Sequence, residues 1–114
     1  IRAVNFNEAN LLTCYANDYG YENWVSECLE SYAKKKDVVI LISSSGKSKN
    51  IINGAKKANK MGLKTITLTG FEKNNPVKKL GVINLWADSK KYNIVEMVHH
   101  IWLLSICDFI GNKK

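Results

Sequence analysis

The chain has 114 residues, a formal net charge of +7, 46% apolar residues and one proline. This composition predicts one folded domain rather than a disordered segment. No uninterrupted apolar run reaches the ~20 residues of a membrane span, and no secretory signal opens the sequence, so we expect a cytoplasmic protein without a membrane partner.

Most of the positive charge comes from short lysine clusters, at residues 34–36, 56–57, 78–79, 90–91 and 113–114. Such clusters are typical of solvated surface, and they could also attract an anionic small substrate. Nucleic-acid binding needs basic residues grouped on one face with exposed aromatic residues between them. The sequence shows no such grouping, so we expect no nucleic-acid partner.

The first third of the chain predicts a strand and two helices. Residues 2–6 alternate in polarity, which predicts a strand, and apolar residues from Leu11 to Tyr15 mark a short helix. Residues 17–20 predict a turn that ends this helix, because Asn, Asp and Gly tolerate left-handed or self-bonded backbone. Residues 21–33 carry apolar side chains every three or four positions, which indicates an amphipathic helix.

A βαβ unit follows. The apolar run over residues 38–42 is short, β-branched and continuous, which predicts a central strand buried on both faces of a parallel sheet. A helix is predicted over residues 48–61, with Gly62 ending it, and a second strand over residues 64–69. Such a unit makes a parallel crossover.

The remaining elements complete an α/β fold. Residues 72–80 predict a loop with a short helix near Pro76, and residues 82–86 predict a third strand. Residues 92–110 predict a long helix that is apolar nearly all round, which we expect to be buried between the sheet and a second subunit. The chain begins at Ile1 without a Met, so we expect that an N-terminal part precedes it.

The first candidate site is the serine loop, residues 43–48, which joins the first strand of the βαβ unit to its helix. Its hydroxyls, the flexible Gly46 and the free N–H groups of a helix start together suit an anion such as phosphate. The alternative is an ordinary loop with Ser48 as the N-cap. The loop ends like a nucleotide-binding P-loop, but the first glycine of that pattern would fall at Leu41, which argues against a nucleotide triphosphatase.

The second candidate site lies on the closing helix. Glu96 shares a helical stripe with His99 and His100, at spacings of three and four residues. A carboxylate and an imidazole on one stripe could act as acid and base or bind a metal, although the order differs from the HExxH zinc motif. The alternative is a polar stripe whose hydrogen bonds are made across an oligomer interface.

Four pieces of the sequence together resemble a known family. They are residues 17–22 (NDYGYE), 42–48 (ISSSGKS), 66–70 (ITLTG) and the closing helix around residues 95–99. Their order and spacing resemble the sugar isomerase (SIS) domains, and most closely the sedoheptulose 7-phosphate isomerases, also called phosphoheptose isomerases. The resemblance implies a three-layer αβα sandwich around a five-stranded, flavodoxin-like parallel sheet, a homotetramer, and one SIS domain over residues 1–114 that is incomplete at its N-terminus.

The resemblance also implies a site. Ser43, Ser44, Ser45 and Ser48 would bind the phosphate or the adjoining sugar, and Asn17 with Asp18 would contact the sugar chain. In the isomerases an aldose and a ketose interconvert through an enediol, with a glutamate and a histidine moving protons and a zinc ion commonly nearby. In this chain Glu96 and His99 are the candidates for catalysis, and Glu96 is the candidate zinc ligand.

The sequence departs from the isomerases at one important position. Aligned with one gap, Glu96 and Leu104 stand where those enzymes carry a glutamine and a catalytic histidine, and leucine cannot transfer a proton. Two functions therefore stay open. One is a sedoheptulose 7-phosphate isomerase that supplies precursors of lipopolysaccharide or capsule, and the other is a non-catalytic phosphosugar-binding module for regulation or assembly.

Overall fold

The computed structural model describes residues 2–112. In chain order its elements are α1 Ala9–Tyr19, α2 Trp24–Tyr32, β1 Val38–Ser43, α3 Lys49–Lys60, β2 Lys64–Thr69, a 3₁₀ helix Lys78–Leu80, β3 Ile83–Trp86 and α4 Tyr92–Gly111. The predicted helices and the three strands after residue 37 are confirmed. So is the single βαβ crossover through α3. The turn predicted at residues 17–20 is wrong for residues 17–19, which belong to α1.

The strand predicted at residues 2–6 is wrong, because these residues form no strand. The backbone N–H of Asn7 donates to the Asn5 side chain, and the Phe6 ring packs on Tyr32 with 5.3 Å between ring centroids. Alternating polarity indicates extended chain, but a strand also needs a neighbouring strand to pair with. This segment instead contacts the end of α2.

The sheet of the described residues has three parallel strands in the order β1-β2-β3. Ser43 pairs with Thr69, and Thr69 pairs with Trp86, so the carboxyl ends of the three strands lie side by side. Ligands of parallel α/β sheets bind beyond this edge. The resemblance implied five strands, and residues 2–112 form three of them.

Helices α2 and α3 cover one face of the sheet and bury the main core. Its residues are apolar and nearly inaccessible to solvent: Trp24, Val25, Cys28, Leu29, Val39, Leu41, Ala55, Ala58 and Leu63. Close helix packing requires Gly54, because a Cβ at this position would collide with Val25 Cγ1. On the same face β2 buries a row of threonines, and their hydroxyls pair with Asn59 and Asn84.

The prediction that β1 is central and buried on both faces is wrong. In the described chain β1 is an edge strand, and it is buried on alternate residues only. The outer row, Val38, Ile40 and Ile42, is about half exposed, at 55%, 45% and 44%. A continuous apolar run shows that both faces of a strand are apolar, but it does not show what covers the second face.

Helix α4 lies on this second face, and within the described chain most of it is not buried, while its predicted burial against a second subunit stays a prediction. Only Val95 and His99 are buried in α4, while apolar residues from Met97 to Ile110 stay exposed. Two open apolar grooves of about 330 and 410 Å³ flank its C-terminal half. The helix contacts β2 through its N-terminal half and leaves the outer row of β1 open.

By length and composition alone, α4 could cross a membrane. One such helix is weak evidence, because core helices of soluble proteins pass the same test. The N-terminal half of α4 also makes polar contacts with the sheet edge, from Glu96 to Ser44 and from His99 to Thr69.

Asn75 holds the loops together at the carboxyl edge of the sheet. It is 1% exposed, and its side-chain amide donates to the carbonyl oxygens of Gly70 and Glu72 at 3.3 and 2.9 Å. Its Oδ1 accepts from the Lys78 N–H at 2.9 Å. Gly46 of the serine loop lies against this side chain with φ +65°, so closely that a Cβ would overlap Asn75 Oδ1. The buried Asn75 side chain therefore packs against Gly46 and holds the serine loop in place.

We expect Gly46→Ala to destabilise the protein more than Gly62→Ala. Both glycines have positive φ, 65° and 71°, so alanine introduces similar backbone strain at each. A Cβ at Gly62 meets nothing within 4 Å, whereas at Gly46 it meets Asn75. The collision should cost about 1–3 kcal/mol more in the free energy of unfolding, measured by urea titration. Equal losses for the two variants would contradict the contact.

Candidate functional site

The serine loop turns sharply after β1. The Gly46 N–H donates to the Ser43 carbonyl at 3.0 Å, and the Lys47 N–H donates to Ser45 Oγ at 3.3 Å. Ser43 Oγ donates to Ser48 Oγ at 3.2 Å, which joins the two ends of the loop. The Ser43 hydroxyl is thereby held beside Ser48, the residue that precedes α3.

Ser48 occupies the N-cap position of α3, but its side chain makes no capping hydrogen bond. The ordinary-loop interpretation predicted such a bond, since a capping serine accepts from a backbone N–H of the first turn. Without it, the first N–H groups of α3 donate no hydrogen bond to the Ser48 side chain, and no other side chain in residues 2–112 accepts from them. Ser48 is exposed and Ser44 and Ser45 are half-buried, so a ligand can reach both the hydroxyls and the helix start.

Glu96 joins the closing helix to this loop. Ser44 Oγ donates to Glu96 Oε1 at 3.2 Å, across 52 positions of sequence. The carboxylate is solvent-exposed, and it lies next to the serine loop because α4 crosses the end of β2. The structure thus brings together the two candidate sites that the sequence suggested separately.

His99 lies deeper than Glu96. It is 2% exposed, and its Nε2 lies 3.0 Å from the Thr69 carbonyl oxygen, which also accepts from the Ala87 N–H at 2.8 Å. A carbonyl can only accept, so Nε2 carries the proton, and Nδ1 is a buried acceptor without a partner among the described residues. His99 therefore ties α4 to the end of β2, and its role in proton transfer stays a prediction.

Asn17 and Asp18 lie at the end of α1 and are exposed. Asn17 Nδ2 donates to Asp18 Oδ1 at 3.0 Å, and among residues 2–112 neither side chain hydrogen-bonds to the loop serines. The following turn is fixed to α3, because Asn53 Nδ2 donates to the Glu22 carbonyl at 3.0 Å. The contact of Asn17 and Asp18 with a sugar stays a prediction.

A rim that the sequence did not reveal joins the loop after β2 to the loop before α4. Glu72 pairs with Lys90 at 3.0 Å, and the Phe71 N–H donates to the Ser89 carbonyl at 2.9 Å. The hydrogen bond from Lys90 and its charge, with a contribution from Lys47, lower the pKa of Glu72. Residues 71–72 and 89–90 carry no motif or periodicity, so only the parallel arrangement of β2 and β3 could have indicated that they meet.

Glu96, the predicted zinc ligand, has too few donor side chains around it in the described chain to complete a zinc site. Among the described residues no group of three or more His, Cys, Asp and Glu side chains lies close enough to hold a metal ion. Glu96 offers one carboxylate, and the nearby His99 uses Nε2 to bind Thr69. These residues do not make a zinc site by themselves, and no reaction step is derived through zinc.

Comparisons with known proteins agree with this geometry. The sequence model described as SIS domain matches residues 2–70. The phosphoheptose isomerase of Aliarcobacter butzleri is 37% identical over 106 residues, which cover 93% of this chain and 56% of that protein. The probable phosphoheptose isomerase of Thermoplasma acidophilum is 38% identical over 102 residues, covering 90% of this chain and 56% of that protein.

The fold agrees as well. The solved structure of phosphoheptose isomerase GmhA from Neisseria gonorrhoeae superimposes with a TM-score of 0.84 at 26% identity, over 91% of this chain and 59% of that one. The chain thus spans a little more than half the length of these relatives. The αβα architecture, the serine loop and the matched sequence identify the chain as a member of the SIS domain family.

Proposed function

We propose that this chain is the phosphosugar-binding part of a phosphoheptose isomerase-like enzyme, which interconverts sedoheptulose 7-phosphate and an aldoheptose phosphate. The observation that carries the proposal is the hydrogen bond from Ser44 to Glu96, because it places a carboxylate beside a loop built to hold an anion. The relatives' names supply the substrate class.

Each part of the loop has a role in this proposal. Ser45, Ser48 and the first N–H groups of α3 hold the phosphate, whose charge the positive end of the helix dipole favours. Ser43 supports Ser48 through the bond between their hydroxyls. Ser44 faces Glu96 and marks the side on which the sugar chain leaves the phosphate, and Asn17 with Asp18 contacts that chain.

The reaction needs one base that moves a proton between neighbouring carbons. Glu96 removes the proton from C1 of the ketose, the electron pair forms the enediol, and the proton returns to C2 to give the aldose. The hydroxyl proton moves from O1 to O2, so that the carbonyl group passes from C2 to C1, and this transfer needs a second carrier. Leu104 cannot serve and buried His99 holds Thr69, so neither residue is proposed as that carrier.

Leu104 also favours a second candidate function, in which the same site binds a phosphosugar without converting it. Its side chain is 53% exposed and carries no titratable group at the position where the resemblance expects a histidine. Such a module would use ligand binding for regulation or assembly. The two functions share the serine loop and differ in turnover.

The proposal includes a homotetramer in the cytoplasm, serving the synthesis of lipopolysaccharide or capsule precursors. The exposed apolar residues of α4 and the outer row of β1 support oligomerisation, because monomeric soluble proteins rarely expose large contiguous apolar patches. An aldoheptose phosphate is a suitable precursor for such polysaccharides.

We expect the double variant Ser45→Ala/Ser48→Ala to bind sedoheptulose 7-phosphate at least about tenfold more weakly, because each hydroxyl bound to a charged phosphate contributes roughly 1.5–3 kcal/mol. Isothermal titration calorimetry measures the affinity. The matched control is Ser105→Ala, whose hydroxyl donates to the Ile101 carbonyl on α4. Unchanged affinity in the double variant would show that the serines only shape a turn.

We expect Glu96→Gln to lower turnover of the full-length protein about 10²–10⁴-fold, since an amide cannot accept the carbon-bound proton. Affinity should change little, because the amide oxygen still accepts from Ser44. Product analysis with sedoheptulose 7-phosphate, with and without added zinc, measures turnover. Asp108→Asn, an exposed carboxylate on the same helix, is the control.

The same assay separates the two candidate functions. A wild-type protein that sedoheptulose 7-phosphate stabilises thermally, but that forms no product under either condition, contradicts the isomerase and supports the binding module.

A further inference from the structure

The stripe of α4 that faces the sheet rests on the turn at the end of β2. Val95 is fully buried against Gly70, where an added Cβ would lie 2.6 Å from both Val95 methyl groups. His99 contacts Thr69 one turn further along the helix. These two contacts fix which face of α4 lies on the sheet, and neither involves Tyr92, the residue at which the helix begins.

Phe71 supplies a contact at that first turn. Its ring packs on Tyr92, the first residue of α4, with 4.7 Å between centroids and 54° between the ring planes. Tyr92 lies one helical turn before Glu96, so the two side chains share a face of the helix. A ring that holds Tyr92 therefore also sets the direction of the Glu96 side chain.

The backbone of Phe71 is unusual. It has φ +55°, a left-handed conformation that side chains with a Cβ rarely adopt and that glycine adopts freely. The conformation directs the Phe71 N–H to the Ser89 carbonyl at 2.9 Å while the ring lies on Tyr92. One residue thus connects the end of β2 to both the loop before α4 and the helix itself.

We propose that Phe71 is a positioning residue, which holds the first turns of α4 through Tyr92 so that the Glu96 carboxylate stays beside Ser44. Among residues 2–112, Phe71 makes no hydrogen bond to the serine loop or to Glu96, and its ring contacts the first residue of α4. The inference rests on the proposed function for its catalytic consequence, and on the described contacts alone for its structural one.

The test compares Phe71→Gly with Phe71→Tyr in the full-length protein. Glycine accepts φ +55° without strain, so the variant keeps the turn and removes only the ring. Tyrosine keeps the ring and should behave as wild type. The matched control is Phe6→Ala, which removes a similar aromatic contact, with Tyr32, at 5.3 Å. Tyr92→Leu removes the partner ring and should reproduce the effect of Phe71→Gly.

Two readouts are measured. Amide hydrogen exchange at residues 95–99 should accelerate at least about tenfold in Phe71→Gly, while α3 stays as protected as in wild type. In active enzyme, kcat should fall up to about 100-fold with KM changed less than about threefold, because the base is displaced while the phosphate loop is intact. In Phe71→Tyr, the exchange rate at residues 95–99 and kcat should both stay at their wild-type values.

Unchanged exchange at residues 95–99, or faster exchange spread equally over α3, would overturn the proposal. So would an unchanged kcat in an active enzyme whose α4 exchange has accelerated. A wild-type protein without turnover would contradict the isomerase function and not the positioning role, because the exchange comparison would still decide it.

Discussion

Gly70 is the residue on which the geometry of the site depends. Its N–H donates to the Ser44 carbonyl, its carbonyl accepts from the Asn75 amide, and the space that a Cβ would fill is taken by Val95. The serine loop, the loop after β2 and helix α4 therefore meet around one residue without a side chain. A larger residue would have to separate at least two of them, and the distance between Ser44 and Glu96 depends on all three.

The sequence could predict the elements that repeat a pattern. The amphipathic α2, the βαβ unit and the long α4 follow from periodicities of 3.6 and 2, and the serine loop follows from composition at the end of a strand. The sequence of a strand does not show which elements pack against it or pair with it. Residues 2–6 looked like a strand and pair with none, and the apolar run of β1 lies at an edge with its outer row open.

The site was predictable in its parts and not in its assembly. Hydroxyls and helix N–H groups that are neighbours in the sequence are also neighbours in space, so the shape of the serine loop could be predicted, while its binding of an anion stays a prediction. Glu96 and His99 also share a stripe in the sequence, yet one reaches the surface beside Ser44 and the other is buried against Thr69. A difference of three positions, about 60° around the helix, separates a surface carboxylate from a buried imidazole. The packing of α4 on the end of β2 decides which of the two side chains is exposed and which is buried.

The missing cap of α3 connects the ligand to the stability of the fold. The Ser48 hydroxyl bonds to Ser43 instead of to the helix backbone, so the first turn of α3 begins without the acceptor that usually completes it. In the proposed function, an oxygen of the bound phosphate would take this place and act as the cap of the helix. Because α3 packs on α2 and forms the crossover between β1 and β2, an anion that completes its first turn would stabilise the whole core. Phosphosugar binding would therefore be linked to the free energy of unfolding of the whole fold.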